Sequence, residues 1–165
     1  VTRGTVQGGS KTIIGDDNLF MAYVHIAHDC VIGNKTVFSN NASLAGHVEV
    51  GDYSNLSGFV GVHQFCRVGS YSFCAGGSII VKDVSPFTTV QGYPAKVRGL
   101  NLEGLKRREF SVETIAHLKR AYKSIYQEGL TTEESLEKLQ EMVTDCAEVQ
   151  LLVDFIKKSE RGITR

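Results

Sequence analysis

The chain has 165 residues, and 18 lysines and arginines balance 18 aspartates and glutamates, so the formal net charge is zero. That balance offers no global attraction to nucleic acid or to an anionic membrane surface, and no run approaches the roughly 18 consecutive apolar residues of a membrane-spanning helix. The length is enough to bury a core without disulfide or metal staples.

The expectation is therefore a protein with no nucleic-acid partner and no membrane insertion. Cys30, Cys66, Cys74 and Cys146 include no CxxC pair, which reads as reduced thiols in a cytoplasmic protein. The chain begins with Val1 rather than Met and shows no secretory leader, so its natural N-terminus is expected to lie further upstream. Charge also divides the chain. Residues 1–100 hold 13 charged side chains and residues 101–165 hold 23, marking two regions of different character.

In the first region an apolar residue recurs every six positions. Ile14, Phe20, Ile26, Ile32, Phe38, Leu44, Val50, Leu56, Val62, Val68, Cys74 and Ile80 follow without interruption. Two residues before each of the later ones stands a small or β-branched residue, apart from Asn18. Residues two apart share one face of a strand, so each hexad predicts a short strand with two inward side chains, followed by a turn. Apolar spacings of three and four, which a helix needs, are missing here. Gly15, Gly33, Gly51 and Gly69 add a slower period of eighteen. Three hexads per period make a coil with three flat sides, so residues 14–85 predict four coils of a triangular parallel β-helix.

Gly92 and Pro94 read as a linker. Beyond it Phe110, Ile115, Leu118, Ala121, Tyr122 and Ile125 fall at helical spacing, with Ser111 as N-cap and Gly129 past the end. Thr131 and Glu134 read as a capping box for a second helix bearing Leu136, Leu139 and Met142. Val149, Leu151, Leu152, Phe155 and Ile156 predict a third. The expected organisation is residues 1–100 as a hexapeptide-repeat β-helix with its linker, and residues 101–165 as a C-terminal helical domain.

Residues eighteen apart stack at roughly the 4.8 Å strand spacing. Segments 25–29, 43–47 and 61–65 then bring His25, His28, Asp29, His47, His63 and Gln64 to one edge. His28 and Asp29 fall at a turn, where a rigid scaffold can present a reactive imidazole and a carboxylate can orient it. Cys30 points inward, as an inert core thiol. The competing use of clustered histidines is a zinc site, for which His25, His28 and His47 could be tried. Outward-facing Leu19, Tyr23, Phe59 and Tyr71 suggest a closed cyclic trimer built on these faces.

The runs His25-Ile-Ala-His-Asp-Cys30, Ser39-Asn-Asn-Ala-Ser-Leu-Ala-Gly-His47, Val62-His-Gln-Phe-Cys66, Asn101-Leu-Glu-Gly-Leu-Lys-Arg-Arg108 and Arg3-Gly-Thr-Val-Gln-Gly-Gly9 resemble the UDP-N-acetylglucosamine O-acyltransferase family of lipid A biosynthesis over nearly the whole chain. The resemblance implies a left-handed helix and a cytoplasmic homotrimer with active sites between subunits. It implies transfer of an (R)-3-hydroxyacyl group from acyl carrier protein to the 3-hydroxyl of UDP-N-acetylglucosamine. No cofactor or metal is expected, because Cys30 and Cys66 point into the core and no thiolate joins the histidine edge. His28 matches the family's general base, Asp29 its partner and the N–H of Gly46 the oxyanion donor. His25, His47, Gln64, Asn101, Glu103, Arg107 and Arg108 match substrate-contacting positions. Gly76 matches the end of the acyl-chain groove, and nothing in the repeat assigns either Gly76 or Gly77 a positive φ. Members of the family carry further coils ahead of the point matching Val1, which this chain is expected to lack. Two other readings stay open: a trimeric scaffold without catalysis, and a zinc lyase like the γ-class carbonic anhydrases, which share this fold.

Overall fold

A computed structural model describes residues 1–9 and 11–165. Twelve two-residue strands follow the hexad period and stack in parallel into three sides of a prism. The first side holds β1 (Ile13–Ile14), β4 (Val31–Ile32), β7 (Glu49–Val50) and β10 (Arg67–Val68). The second holds β2 (Leu19–Phe20), β5 (Val37–Phe38), β8 (Asn55–Leu56) and β11 (Phe73–Cys74). The third holds β3 (His25–Ile26), β6 (Ser43–Leu44), β9 (Gly61–Val62) and β12 (Ile79–Ile80). Register is the expected eighteen throughout, as in His25 opposite Ser43 and Ser43 opposite Gly61.

The inward residues from Ile26 to Ile80 are buried, each worth about 1.5–3 kcal/mol when fully removed from water. The first coil is the exception. Ile14 is 36% exposed and Phe20 half-buried, because in this chain they pack against a coil on one side alone. Asn18, the polar residue of its series, also points inward. It accepts hydrogen bonds from the amide and hydroxyl of Thr36 and donates to the carbonyls of Gly15 and Gly33. Ser54 and Ser72 continue that column by donating to corner carbonyls.

Each corner turns through one residue with positive φ. They are Asp17, Tyr23, Asp29, Lys35, Asn41, His47, Tyr53, Phe59, Phe65 and Tyr71, and the next in phase is Gly77 at φ 70°. The sequence reading of Gly77 is corrected here: it occupies the same left-handed corner position as the ten before it. Rings at one corner stack from coil to coil, Tyr53 on Tyr71 at 4.8 Å and Tyr71 on Phe87 at 5.5 Å. The eighteen-residue glycine period has a steric cause. A β-carbon at Gly15, Gly33, Gly51 or Gly69 would overlap atoms of the adjoining coil or, at Gly69, of Pro86.

The expected linker is a β-hairpin. β13 (Thr88–Gly92) continues the second side in parallel, and β14 (Ala95–Leu100) pairs back antiparallel. Gly92 and Pro94 belong to its turn. A short helix not anticipated from sequence follows, α1 (Leu102–Arg107), capped by Asn101. The expected helices then appear as α2 (Val112–Tyr126), α3 (Thr132–Met142) with its full capping box, and α4 (Val149–Lys157). They share a second core with Phe87, Tyr71 and Phe110. Tyr71 is therefore covered by the chain's own tail rather than available for subunit contact, whereas Leu19, Tyr23 and Phe59 are exposed. The helices are fastened to the prism by Tyr126 donating to Ser85 at 2.8 Å and by Arg67 lying over the Phe155 ring. No helix among the described residues is long and apolar enough to cross a membrane.

The close approach of coils makes a testable distinction between glycines. A β-carbon at Gly51 would lie 2.6 Å from the backbone nitrogen of Ser70, while one at Gly76 meets only the Gly58 carbonyl oxygen, at 3.4 Å. Gly51→Ala should lower stability in urea unfolding by about 1–3 kcal/mol, the range for overpacking. Gly76→Ala should change it far less. Equal losses would remove steric contact as the cause.

Candidate active site

The corner following the third side carries two adjacent columns. One holds His28, Gly46 and Gln64, and the next holds the positive-φ residues Asp29, His47 and Phe65. His28 Nδ1 lies 2.9 Å from Asp29 Oδ2, and His47 Nε2 lies 3.9 Å from the same oxygen. The two imidazoles meet edge to face at 5.2 Å, and His47 stacks on Phe65 at 4.6 Å. The His28 side chain is 42% exposed while that of Asp29 is 1% exposed. An imidazole thus faces outward from a buried carboxylate.

Burial pushes the Asp29 carboxyl up. The Thr5 hydroxyl, the His28 ring, the Thr5 amide and the His47 charge act the other way, and together they hold it below the usual carboxylate range. An ionised Asp29 accepts from Nδ1–H, which leaves Nε2 of His28 free to take a proton. Gly46 lies against that ring. A β-carbon there would sit 2.7 Å from Nε2 and 2.5 Å from Cε1, so glycine is what makes room for the imidazole. Gly46 is buried, and its N–H donates to no acceptor among the described residues. An N–H without an internal partner is a ready donor for an oxyanion.

The remaining expected residues divide. His25 is exposed on the outer face of the third side, and Gln64 is exposed at the same corner as His28. Asn101, Glu103, Arg107 and Arg108 lie elsewhere, around a cleft shared with Tyr53, Asn55 and Phe73 on the second side. In a three-sided prism that side is opposite the His28 corner. One chain does not bring the two groups together. Asn101 is also partly employed in the fold: its oxygen caps α1 through Gly104 N–H and its nitrogen donates to the Tyr71 carbonyl. Glu103 and Arg107 pair at 3.2 Å on an exposed turn, and Arg108 lies over the Tyr53 ring. Gly76 is exposed at the corner between the second and third sides, across the third side from His28. The outer face between them carries the small residues Ala27, Ser43, Ala45 and Gly61, alongside His25, His63 and Ile79. The thiols are as expected: Cys30 is fully buried and donates to the Ala45 carbonyl, and burial pushes Cys66 up to about 11 and Cys74 to about 12.

Sequence reasoning missed Thr5, Gly8, Thr12 and Phe65. The first two stand in the Arg3–Gly9 run, which entered only as a resemblance, and Phe65 stands eighteen residues after His47. The metal question also changes shape. The ligand atoms of His28, Asp29 and His47, rather than His25, His28 and His47, fall within 4.8 Å of one another. Yet both Asp29 oxygens already accept from the Thr5 amide, and Oδ2 also accepts from the Thr5 hydroxyl and His28. A cation would have to displace those donors, so the donor set fits a metal poorly.

This is a hexapeptide-repeat solenoid with a histidine–carboxylate pair at one corner, and residues 11–46 match the bacterial transferase hexapeptide family, six repeats. Residues 83–164 match a second family, described as UDP-N-acetylglucosamine O-acyltransferase, domain 2. An acyl-(acyl-carrier-protein)–UDP-N-acetylglucosamine O-acyltransferase from Thiobacillus denitrificans is 56% identical over 162 residues, 98% of this chain and 63% of that protein. The Moraxella catarrhalis UDP-N-acetylglucosamine O-acyltransferase structure superposes with a TM-score of 0.96 at 45% identity, over 99% of this chain and 63% of that one. The Francisella novicida UDP-N-acetylglucosamine acyltransferase gives 0.95 and 43%, over 98% of this chain and 59% of that one. Over the length it spans, the chain belongs to the UDP-N-acetylglucosamine O-acyltransferase family and has its left-handed β-helix. It spans somewhat less than two thirds of the curated relatives it matches.

The state of Asp29 can be tested through stability. Its carboxyl is lowered from an unfolded value of about 3.9. Its contribution to folding is therefore complete above the unfolded value and is lost as pH falls through the lower folded one. Urea midpoints measured from neutral to acid pH should fall less steeply in Asp29→Asn than in the natural protein. Parallel acid limbs would show that the carboxylate is not held ionised.

Proposed function

We propose that this protein transfers an (R)-3-hydroxyacyl group from acyl carrier protein to the 3-hydroxyl of UDP-N-acetylglucosamine. The observation that carries the reading is the His28–Asp29 pair beside the unpaired N–H of Gly46. A sugar hydroxyl is a weak nucleophile and needs a base. His28 Nε2 takes its proton as the oxygen attacks the thioester carbonyl. The carbonyl becomes a tetrahedral oxyanion, which the Gly46 N–H receives. Collapse expels the carrier protein's thiolate, which takes the proton back from His28. The balance is closed, and no cofactor or metal is assigned a step.

The split of the remaining residues supports a site completed between subunits. Asn101, Glu103, Arg107 and Arg108 on the far side of one prism would face the His28 corner of a neighbour in a cyclic homotrimer. Arg107 and Arg108 suit a pyrophosphate or an acidic carrier protein. His25, His47 and Gln64 surround His28 on the acceptor side. The small residues on the outer third side would hold the acyl chain, ending at Gly76. We further propose the division into residues 1–100 and 101–165, and a cytoplasmic setting, in which acyl carrier protein and the nucleotide sugar meet.

Two measurements test this reading on the native protein. His28→Ala should lower the rate of acyl transfer by about 10²–10⁴-fold, the usual worth of a general base, with the fold intact by circular dichroism. Full activity would favour the scaffold reading. At the far end of the groove, Gly76→Met should shift preference to a donor several carbons shorter, since each buried methylene is worth about 0.8 kcal/mol. Carrier-protein donors of graded length would measure it, and an unchanged preference would place the chain terminus elsewhere.

A further inference from the structure

The segment before β1 crosses the His28 corner as a strap. Thr2 N–H donates to the Ile26 carbonyl, and the Thr12 hydroxyl donates to the Thr2 carbonyl while accepting from the Asp29 N–H. Between these ties the strap makes a single 3₁₀ turn, Val6–Gly8. Its contact with the catalytic corner is concentrated in two residues. Thr5 donates its amide to both oxygens of Asp29, at 2.9 and 3.1 Å, and its hydroxyl to Oδ2 at 2.7 Å. Gly8 lies so close that a β-carbon would sit 2.5 Å from Oδ2 and 2.6 Å from Oδ1.

Asp29 has a choice of imidazoles. Its Oδ2 is 2.9 Å from His28 Nδ1 and 3.9 Å from His47 Nε2. A modest turn of the carboxylate would exchange one partner for the other, and His28 would then lose the acceptor that keeps its proton on Nδ1. Among the described residues, the groups facing Asp29 are Thr5 and Gly8 from the strap, Thr12 at its backbone, and His28 and His47 from the corner. Of these, Thr5 and the His28 ring alone hydrogen-bond to the carboxylate, and Thr5 supplies both an amide and a hydroxyl donor.

We propose that Thr5 is a positioning residue: it holds Asp29 toward His28 and away from His47, and so keeps His28 in the tautomer with Nε2 free. This rests on the acyl-transfer reading for its functional meaning, but its structural content does not. The hydroxyl is the separable part, because the amide bond survives any substitution with a side chain that fits. Thr5 has φ −102° and ψ 157°, extended backbone that valine adopts without strain.

The test compares Thr5→Val and Thr5→Ser with the natural protein, reading imidazole ¹⁵N chemical shifts and steady-state kinetics. Thr5→Val should replace the single Nδ1–H signal of His28 with a mixture of tautomers. It should also lower kcat roughly tenfold, the lower end of the loss when outer hydrogen-bond partners of metal-ligating histidines are removed, with little change in KM. Thr5→Ser should restore both. Gly8→Ala, which crowds the carboxylate directly, should disturb the tautomer in the same direction as Thr5→Val. A natural His28 tautomer in Thr5→Val overturns the proposal, whatever happens to kcat. The tautomer readout needs no turnover, so full activity in His28→Ala would overturn the acyl-transfer reading without touching this one.

Discussion

The prism depends on a backbone conformation that L-residues ordinarily avoid. One residue in each hexad must take positive φ to turn the corner, and ten of these before Gly77 carry side chains. Left-handed backbone costs about 1–2 kcal/mol for such a residue, and several here are aromatic. The cost is offset because the same residues fall one above another. Rings stack down the corners, as Tyr53, Tyr71 and Phe87 do, and as His47 does on Phe65; such pairs contribute about 0.5–1.5 kcal/mol each beyond the burial of their area. Asp29 and His47 occupy this same strained position. Their side chains converge because the corner geometry that bends the chain also aims them.

Much of the architecture was readable because the prism translates sequence phase directly into space. A strict period of six dictates which residues point inward, and the period of eighteen dictates which stack, so the sheets, the buried thiols and the meeting of His28 with Asp29 followed from counting. The helices were readable from their caps, since Ser111 and Thr131 both carry the expected bonds. What escaped were features that no period encodes. The hairpin of β13 and β14 carries Gly92 and Pro94 at its turn, and those residues also suit a linker. The first helix is too short for a helical period. Gly77 was misjudged because positive φ belongs to a corner position, and neighbouring corners are filled by Tyr, Phe and Asn rather than by Gly.

The site was readable to the same extent as the corner. His28, Asp29, Gly46 and His47 share one phase window and come together. Thr5 and Gly8 lie before the repeat begins, so no phase relates them to Asp29; only the folded strap does. Asn101, Glu103, Arg107 and Arg108 lie beyond it, on the opposite side of the prism. Their separation from His28 is a property of one chain, and it is the reason the proposed chemistry needs more than one.

The glycines at positions 15, 33, 51 and 69 mark a restriction on how a gene for such a protein can change. Each coil rests on the next at atoms that tolerate no added carbon. Unless a corner loop absorbs it, inserting or deleting one codon would shift the later strands out of phase and turn their inward residues to the surface. Adding or removing eighteen codons would preserve every column. Length changes that leave every column intact therefore come in whole coils, and a duplicated coil would arrive with its corners, its stacking and its polar ladder already in register.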